Sequence, residues 1–427
     1  MFKKYIKLLI VLLLLSGCTF KQNTSSTDYS DILQHKKTFL LPEEPLNVDI
    51  STPTNEEIDA LESFLDVPNA ELSNSKKEIR EDMEDLKWML STFYGRYLLY
   101  EDEFNQAFDT IIDEVPTKGA DRAALTSIIM KNFSFNKDYH LLIDGFQSSI
   151  RFDNTYDLDN EFTLEDDKAI NITTNEELDK IDYLKPFLTP DLEIVYREVN
   201  RPTSRVRNVQ FRSDFKQLDL DVPYIHVDDF SEHNFEFDDF ANEINNSEIS
   251  VIDLRNNAGG QQYYPGYWYT LLTGQKVQYS FDGFMRTDPS TTSILDNSMI
   301  TVQFGAIKRE NYYEFVPSDT IHHQNGLIIV LQNSYTYSAA ELLVDYLHHL
   351  DNTVFIGTPT NGTLSSNIFG GPYYLKNSGI GISFGNLVTN FNPAYFSEEK
   401  GFEPDLFVMD NQMQVVIEAL IMKLSSK

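Results

Sequence analysis

The chain of 427 residues has a single cysteine, Cys18. One thiol excludes an intrachain disulfide and a multi-cysteine metal site, so the fold must be held by its core. Basic residues are scarce as well: 34 Lys and Arg stand against 66 Asp and Glu, a formal charge of -32. Such a surface repels phosphate backbones and anionic lipid headgroups, which makes nucleic acid a poor partner. The acids are scattered rather than gathered in a block, the pattern of a solvated surface. A membrane-length apolar run is missing too. Leu8 to Leu15 is apolar throughout, but it is too short to cross a bilayer as a helix.

What surrounds that short run is informative. Lys3, Lys4 and Lys7 precede it and Leu15-Ser-Gly-Cys18 follows it. A basic start, a brief apolar stretch and small residues before a cysteine form the pattern of a lipoprotein signal peptide, here residues 1–17, with Cys18 as the lipidated residue. Removing those three lysines takes the formal charge from -32 to -35. The polar sequence that follows, residues 18–50, reads as a tether. The expected protein is an extracytoplasmic, membrane-anchored bacterial lipoprotein, at the cell surface or the periplasmic face.

Beyond the tether, three regions differ in pattern. Residues 51–145 are expected to form an α-helical N-terminal domain: Thr54-x-x-Glu57 and Ser75-x-x-Glu78 are capping-box sequences, and Ile79, Met83, Leu86, Leu90, Phe93 and Tyr97 recur at helical spacing. Residues 146–221 carry short alternating stretches such as Leu192 to Tyr196 and read as a small β-rich middle segment. From residue 222 to 427 apolar strands alternate with helical stretches, which predicts an α/β core. Its strands are expected at Tyr224 to Val227, Val251 to Leu254 and Leu327 to Leu331, and its helices at Tyr263 to Leu272 and Ala339 to Leu350.

Two of those strand ends carry the chemistry. Leu327-Ile-Ile-Val-Leu331 stops at Asn333, and small residues then open an amphipathic helix with Ser338 at its start. There a hydroxyl lies beside the unpaired N–H groups at the positive end of a helix, a setting that suits a nucleophile and its oxyanion. Taken alone, Ser338-x-x-Glu341 reads first as a capping box, with Ser338 merely capping its helix. The second strand, Val251-Ile-Asp-Leu-Arg-Asn-Asn-Ala-Gly-Gly260, ends in glycines that let backbone N–H groups approach a ligand.

Together, in this order, the two segments resemble the C-terminal-processing and tricorn-type serine peptidase family. That family has an Asp-Leu-Arg-x-Asn-x-Gly-Gly turn and a nucleophile in a Ser-Ala-x-Glu context. The resemblance runs from about Tyr224 to Val408 and includes Pro223 to Phe230 and Gly401-Phe-Glu-Pro-Asp405. It implies ClpP/crotonase-like β-α units, no cofactor, and hydrolysis of peptides or unfolded protein tails through an acyl-enzyme on Ser338.

A serine hydroxyl needs a base within reach, and the base needs an orienting partner. The family's Ser-Lys solution places the lysine on a Gly-x-x-Thr-x-Gly-Lys turn; here that turn is Gly357-Thr-Pro-Thr-Asn-Gly-Thr363, with Thr363 in the lysine position. Lys376 lies too far along to replace it. The tricorn-type solution uses His and Glu, and the resemblance implies His140, in Asp138-Tyr-His140, as base. It implies Glu398, ahead of Gly401, as the acid, with Glu399 as its neighbour in register. The oxyanion donors would be the N–H of Gly259 or Gly260 and that of Ala339. Asp253 and Arg255 read as a structural charge pair that fixes the glycine turn.

Two other readings compete. Thr363 and the Tyr139 beside His140 depart from the family pattern, which suits a non-catalytic peptide- or lipid-binding protein on the same scaffold. A metal-dependent hydrolase would rest on His322-His323 and His348-His349, but adjacent residues do not share a helix face and no His-Glu-x-x-His stretch is present. His348 and His349 are better placed as cations near a helix C-terminus.

Overall fold

A computed structural model of the chain describes residues 29–37, 53–68, 73–147, 154–165, 168–178, 183–200, 216–230, 236–279, 283–286, 301–302, 313–317, 326–367, 370–398 and 400–426. The signal sequence, Cys18, the His322-His323 pair and Glu399 lie outside these residues.

The fold is mixed α/β. Its centre is a parallel ladder of the strands Tyr224–His226, Ile249–Asp253, Leu327–Gln332, Thr353–Gly357 and Leu406–Phe407. These strands are apolar nearly throughout because both faces are covered. Ile252, Leu254, Ile328, Val330 and Phe355 face the helices Glu236–Asn245, Tyr263–Thr273 and Ala339–His348. Their neighbours along the strands, Val251, Ile329, Leu331, Val354 and Ile356, face the C-terminal helix Met413–Ser425. Each such side chain withdrawn from water contributes about 1.5–3 kcal/mol, so this sandwich is the main source of stability.

The β-rich middle segment does not stand apart. Phe187 pairs with Phe407 in parallel, and beyond it Ile194–Asn200, Phe162–Glu165, Lys168–Asn171 and Glu177–Leu178 continue the same sheet in antiparallel order. Among the described residues the result is one 11-stranded sheet.

The helices Asn55–Glu62, Lys76–Phe93, Glu101–Glu114 and Arg122–Asn132 form the N-terminal unit, and both expected capping boxes are present. Their core is shared with the C-terminal half of the chain: Leu141, Ile143, Tyr373, Ile380, Ile382 and Phe384 pack among Phe93, Tyr94, Phe104 and Phe133. The strand Leu142–Ile143 pairs with Gly381–Ser383, and the buried Asp82 carboxylate accepts the N–H groups of Asn377 and Ser378 at 2.9 and 2.8 Å. The chain just before Leu142 is thereby held against the α/β core.

Two expectations change at the edge of this core. Within the stretch read as a tether, residues 29–37 are folded onto the domain. Tyr29 and Ile32 bury in the core beside the C-terminal helix, Tyr29 donates its hydroxyl to Glu248 O at 2.8 Å, and Lys37 bridges to Glu403 at 2.9 Å. Leu33 packs against the same core, so three apolar side chains and the Lys37 ion pair hold this stretch. His348 and His349 are likewise not cations at a helix end. Burial drives the His348 pKa well below its ordinary value, and burial together with Lys36 lowers His349 to about 4. His348 instead stacks on Phe355 with ring centroids 3.7 Å apart.

Candidate active site

Ser338 lies where the strand Leu327–Gln332 turns into the helix Ala339–His348. Its backbone has φ 46° and ψ -112°, a conformation that L-residues rarely adopt and that costs about 1–3 kcal/mol. Several hydrogen bonds impose it. Thr336 donates its hydroxyl to Leu254 O at 2.9 Å, Tyr337 N–H donates to Asn257 O at 2.9 Å, and Asn333 Oδ1 accepts from Asn256 N at 3.1 Å. The nucleophile turn is thus stitched to the glycine turn that ends the neighbouring strand. Ser338 itself stays half-buried, with its neighbours Ala339 and Ala340 packed inside.

At the start of the glycine turn, Asp253 and Arg255 pair side chain to side chain. The guanidinium donates twice to the carboxylate, at 2.9 and 2.6 Å, and Tyr224 adds a hydroxyl at 2.9 Å. Asp253 and Arg255 are both buried, so each needs the other. Gly259 has φ +80°, and a Cβ there would lie 2.8 Å from Tyr337 O and 2.9 Å from Ser338 Cβ. Only glycine allows the two turns to meet. The expectation for its N–H needs correction: Gly259 donates to Asn257 Oδ1 at 2.8 Å. Of the expected oxyanion donors, Gly260 and Ala339 remain.

His140 comes to this corner from the helical unit. Its Nε2 is 3.4 Å from Ser338 Oγ, although the two residues are 198 positions apart. The segment Asn136 to His140 is almost entirely buried and has its own hydrogen-bond order. Asp138 Oδ1 accepts His140 N–H at 2.8 Å and lies 3.8 Å from His140 Nδ1. Asp138 Oδ2 accepts the Tyr94 hydroxyl at 2.7 Å, and Asn136 Nδ2 donates to the same hydroxyl at 2.8 Å. Burial first, and the Asp138 charge second, push the Tyr94 phenol well above its ordinary range, so it keeps its proton and donates. The buried Arg96 guanidinium is close enough to feel both Asp138 and Glu398, and these charges hold it above its usual range against the cost of burial.

Glu398 is buried and accepts Ser365 N–H at 2.5 Å. It lines a cavity of about 440 Å³ together with Arg96, Lys137, Ser365, Phe391 and Phe396. Lys376 is at a distance from all of this, paired with Asp85 at 3.3 Å and set over the Phe64 ring.

Sequence reasoning gave Glu341 only a capping role. It is fully buried, and its carboxylate accepts Ser338 N–H at 3.1 Å and, at 2.6 Å each, the Thr360 hydroxyl and the N–H groups of Gly362 and Thr363. The Ser-x-x-Glu spacing showed the first of these bonds; the other three join segments that no local pattern connects.

Residues 221–408 match the model of Peptidase family S41. No curated protein matches the chain. Among solved structures, mature CPAF is similar at 13% identity and a TM-score of 0.49, covering 82% of this chain and 98% of the other. A putative peptidase from Parabacteroides merdae shares 15% identity at a TM-score of 0.46, with 82% and 97% covered. A lipoprotein from Streptococcus agalactiae shares 12% at 0.39, with 83% and 98% covered. The match covers the α/β core, and over residues 221–408 the chain is similar to the serine-type peptidases of family S41.

Proposed function

We propose that the chain is a lipid-anchored endopeptidase of the Ser-His-Glu, tricorn-like type, acting outside the cytoplasm on peptides or unfolded protein tails. The observation that carries the catalytic part is the 3.4 Å approach of His140 Nε2 to Ser338 Oγ. In this reading His140 takes the hydroxyl proton as Ser338 attacks the scissile carbonyl, then returns it to the leaving amine. The tetrahedral oxyanion is received by the N–H groups of Gly260 and Ala339. Water then enters along the path of the departed amine, and His140 activates it to hydrolyse the ester. Glu398 is the acid of the triad in this reading, supported by its burial beside Arg96. In this reading a lipid on Cys18 holds the domain near a membrane, and the docking of Tyr29 on the core supports a short connection.

A fluorophosphonate probe tests the catalytic part. Wild-type protein is expected to gain one adduct, located by peptide mass spectrometry on Ser338, and Ser338→Ala to gain none. Folded wild-type protein that never labels, while binding peptides, would favour the non-catalytic scaffold.

A further inference from the structure

We propose that Asp138 is the positioning carboxylate of His140, holding the imidazole toward Ser338 and stabilising the imidazolium formed when the serine proton is taken. The inference rests on His140 being the general base, and adds a second carboxylate to the acid already assigned.

The geometry is specific to a fixed, charged group. Asp138 Oδ1 accepts the His140 backbone N–H at 2.8 Å and lies 3.8 Å from ring Nδ1, beyond hydrogen-bond length but within the range of a charge interaction. The backbone bond fixes where the ring starts, and the carboxylate lies on the Nδ1 side of the imidazole. The opposite nitrogen, Nε2, is then the one directed at Ser338. The other oxygen is pinned by Tyr94, which is itself held by Asn136. Asp138 therefore cannot turn away, and it is fully buried, so water does not screen it.

The charged and titratable groups around this unit come from three elements. Asp138 and Lys137 lie on the segment of His140 itself; Tyr94 and Arg96 come from the end of the helix Lys76–Phe93 and the turn after it; Glu398 comes from the loop before Gly401. Arg96 lies in the field of both carboxylates. That cation lowers the cost of keeping both carboxylates buried.

The test is the titration of the His140 ring, followed by NMR in the full chain labelled with ¹⁵N-histidine, alongside steady-state kinetics. Asp138→Asn keeps the acceptor for His140 N–H and removes the charge. It is expected to lower the ring pKa by about one unit or more, since an opposite charge at this range shifts a group by that amount. At pH 7 kcat should fall about tenfold or more with KM unchanged, as expected for a group acting only through the base. Asp138→Ser retains the turn with a smaller acceptor and should behave alike, which covers a folding failure of the first variant. The proposal is overturned if the ring titrates unchanged in the folded variants, or if Glu398→Gln alone reproduces the whole shift. The titration needs no turnover, so an inactive wild type would sink the peptidase reading while leaving Asp138 still decidable.

Discussion

Glu341 accepts the backbone N–H of Thr363 at 2.6 Å, tying the helix behind Ser338 to the turn on which a Ser-Lys peptidase carries its base. A side chain at 363 is thereby directed by a buried carboxylate, and Thr363 uses its hydroxyl on Asn361. Glu341→Gln turns one acceptor oxygen into a donor facing N–H groups. A loss of about 3–5 kcal/mol is expected for breaking such a buried charged network. Chemical denaturation checks this; an unchanged midpoint would mean the network contributes nothing net.

Gly259→Ala probes the contact between the two turns. The added Cβ would meet Tyr337 O at 2.8 Å and Ala339 N at 3.1 Å, in a φ region that disfavours alanine. Peptide hydrolysis is expected to fall by about 10²-fold or more, the usual effect of misplacing an oxyanion donor. The kcat of a peptidase assay reads it directly. Near-wild-type turnover would show that Ala339 N–H does not depend on this approach.

His140→Ala should reduce kcat by about 10²–10⁴, the usual contribution of a general base. The wild-type rate should rise with pH through a single ionisation, because only the neutral ring accepts the serine proton. A flat profile from pH 5 to 8 would argue against histidine as the base.

Acid should weaken the fold through His348 and His349. Both have folded pKa values below the unfolded value of about 6.5. Their contribution is therefore complete above about pH 6.5 and is lost as pH falls toward the folded values, about 4 for His349. Asp405 opposes this, since burial raises it to about 6 and it takes up its proton more readily when folded. Two groups outweigh one. The melting temperature should drop between pH 7 and 5, and His348→Phe, which retains the stack on Phe355, should flatten that slope. An unaltered slope in the variant would remove His348 as a cause.

The strands and helices of the core could be read directly because each is a continuous apolar run or a periodic face long enough to declare its period. The helix Lys76–Phe93 is an example: its stripe and its Ser75–Glu78 box are both local, and both appear as expected. The turn at Gly259 was also visible, but its donor was not, because the competing acceptor is a side chain two residues away whose direction no pattern encodes. Along the sequence Asp138 is only a neighbour of His140. Its importance comes from Tyr94 and Arg96, which lie more than forty residues earlier.

The order of residues along the chain thus determined the periods, the caps, the apolar ladder and the serine at the end of one strand, since each depends on neighbours within a few positions. It also determined that Thr363 stands where a lysine base would be. Tertiary packing decided the rest: which histidine faces Ser338, which carboxylates surround it, and that residues 29–37 lie folded against the core. Those outcomes depend on side chains that meet only after the helical unit and the sheet share one apolar interior. The free energy of that shared burial is a property of the whole chain, and no short segment carries it.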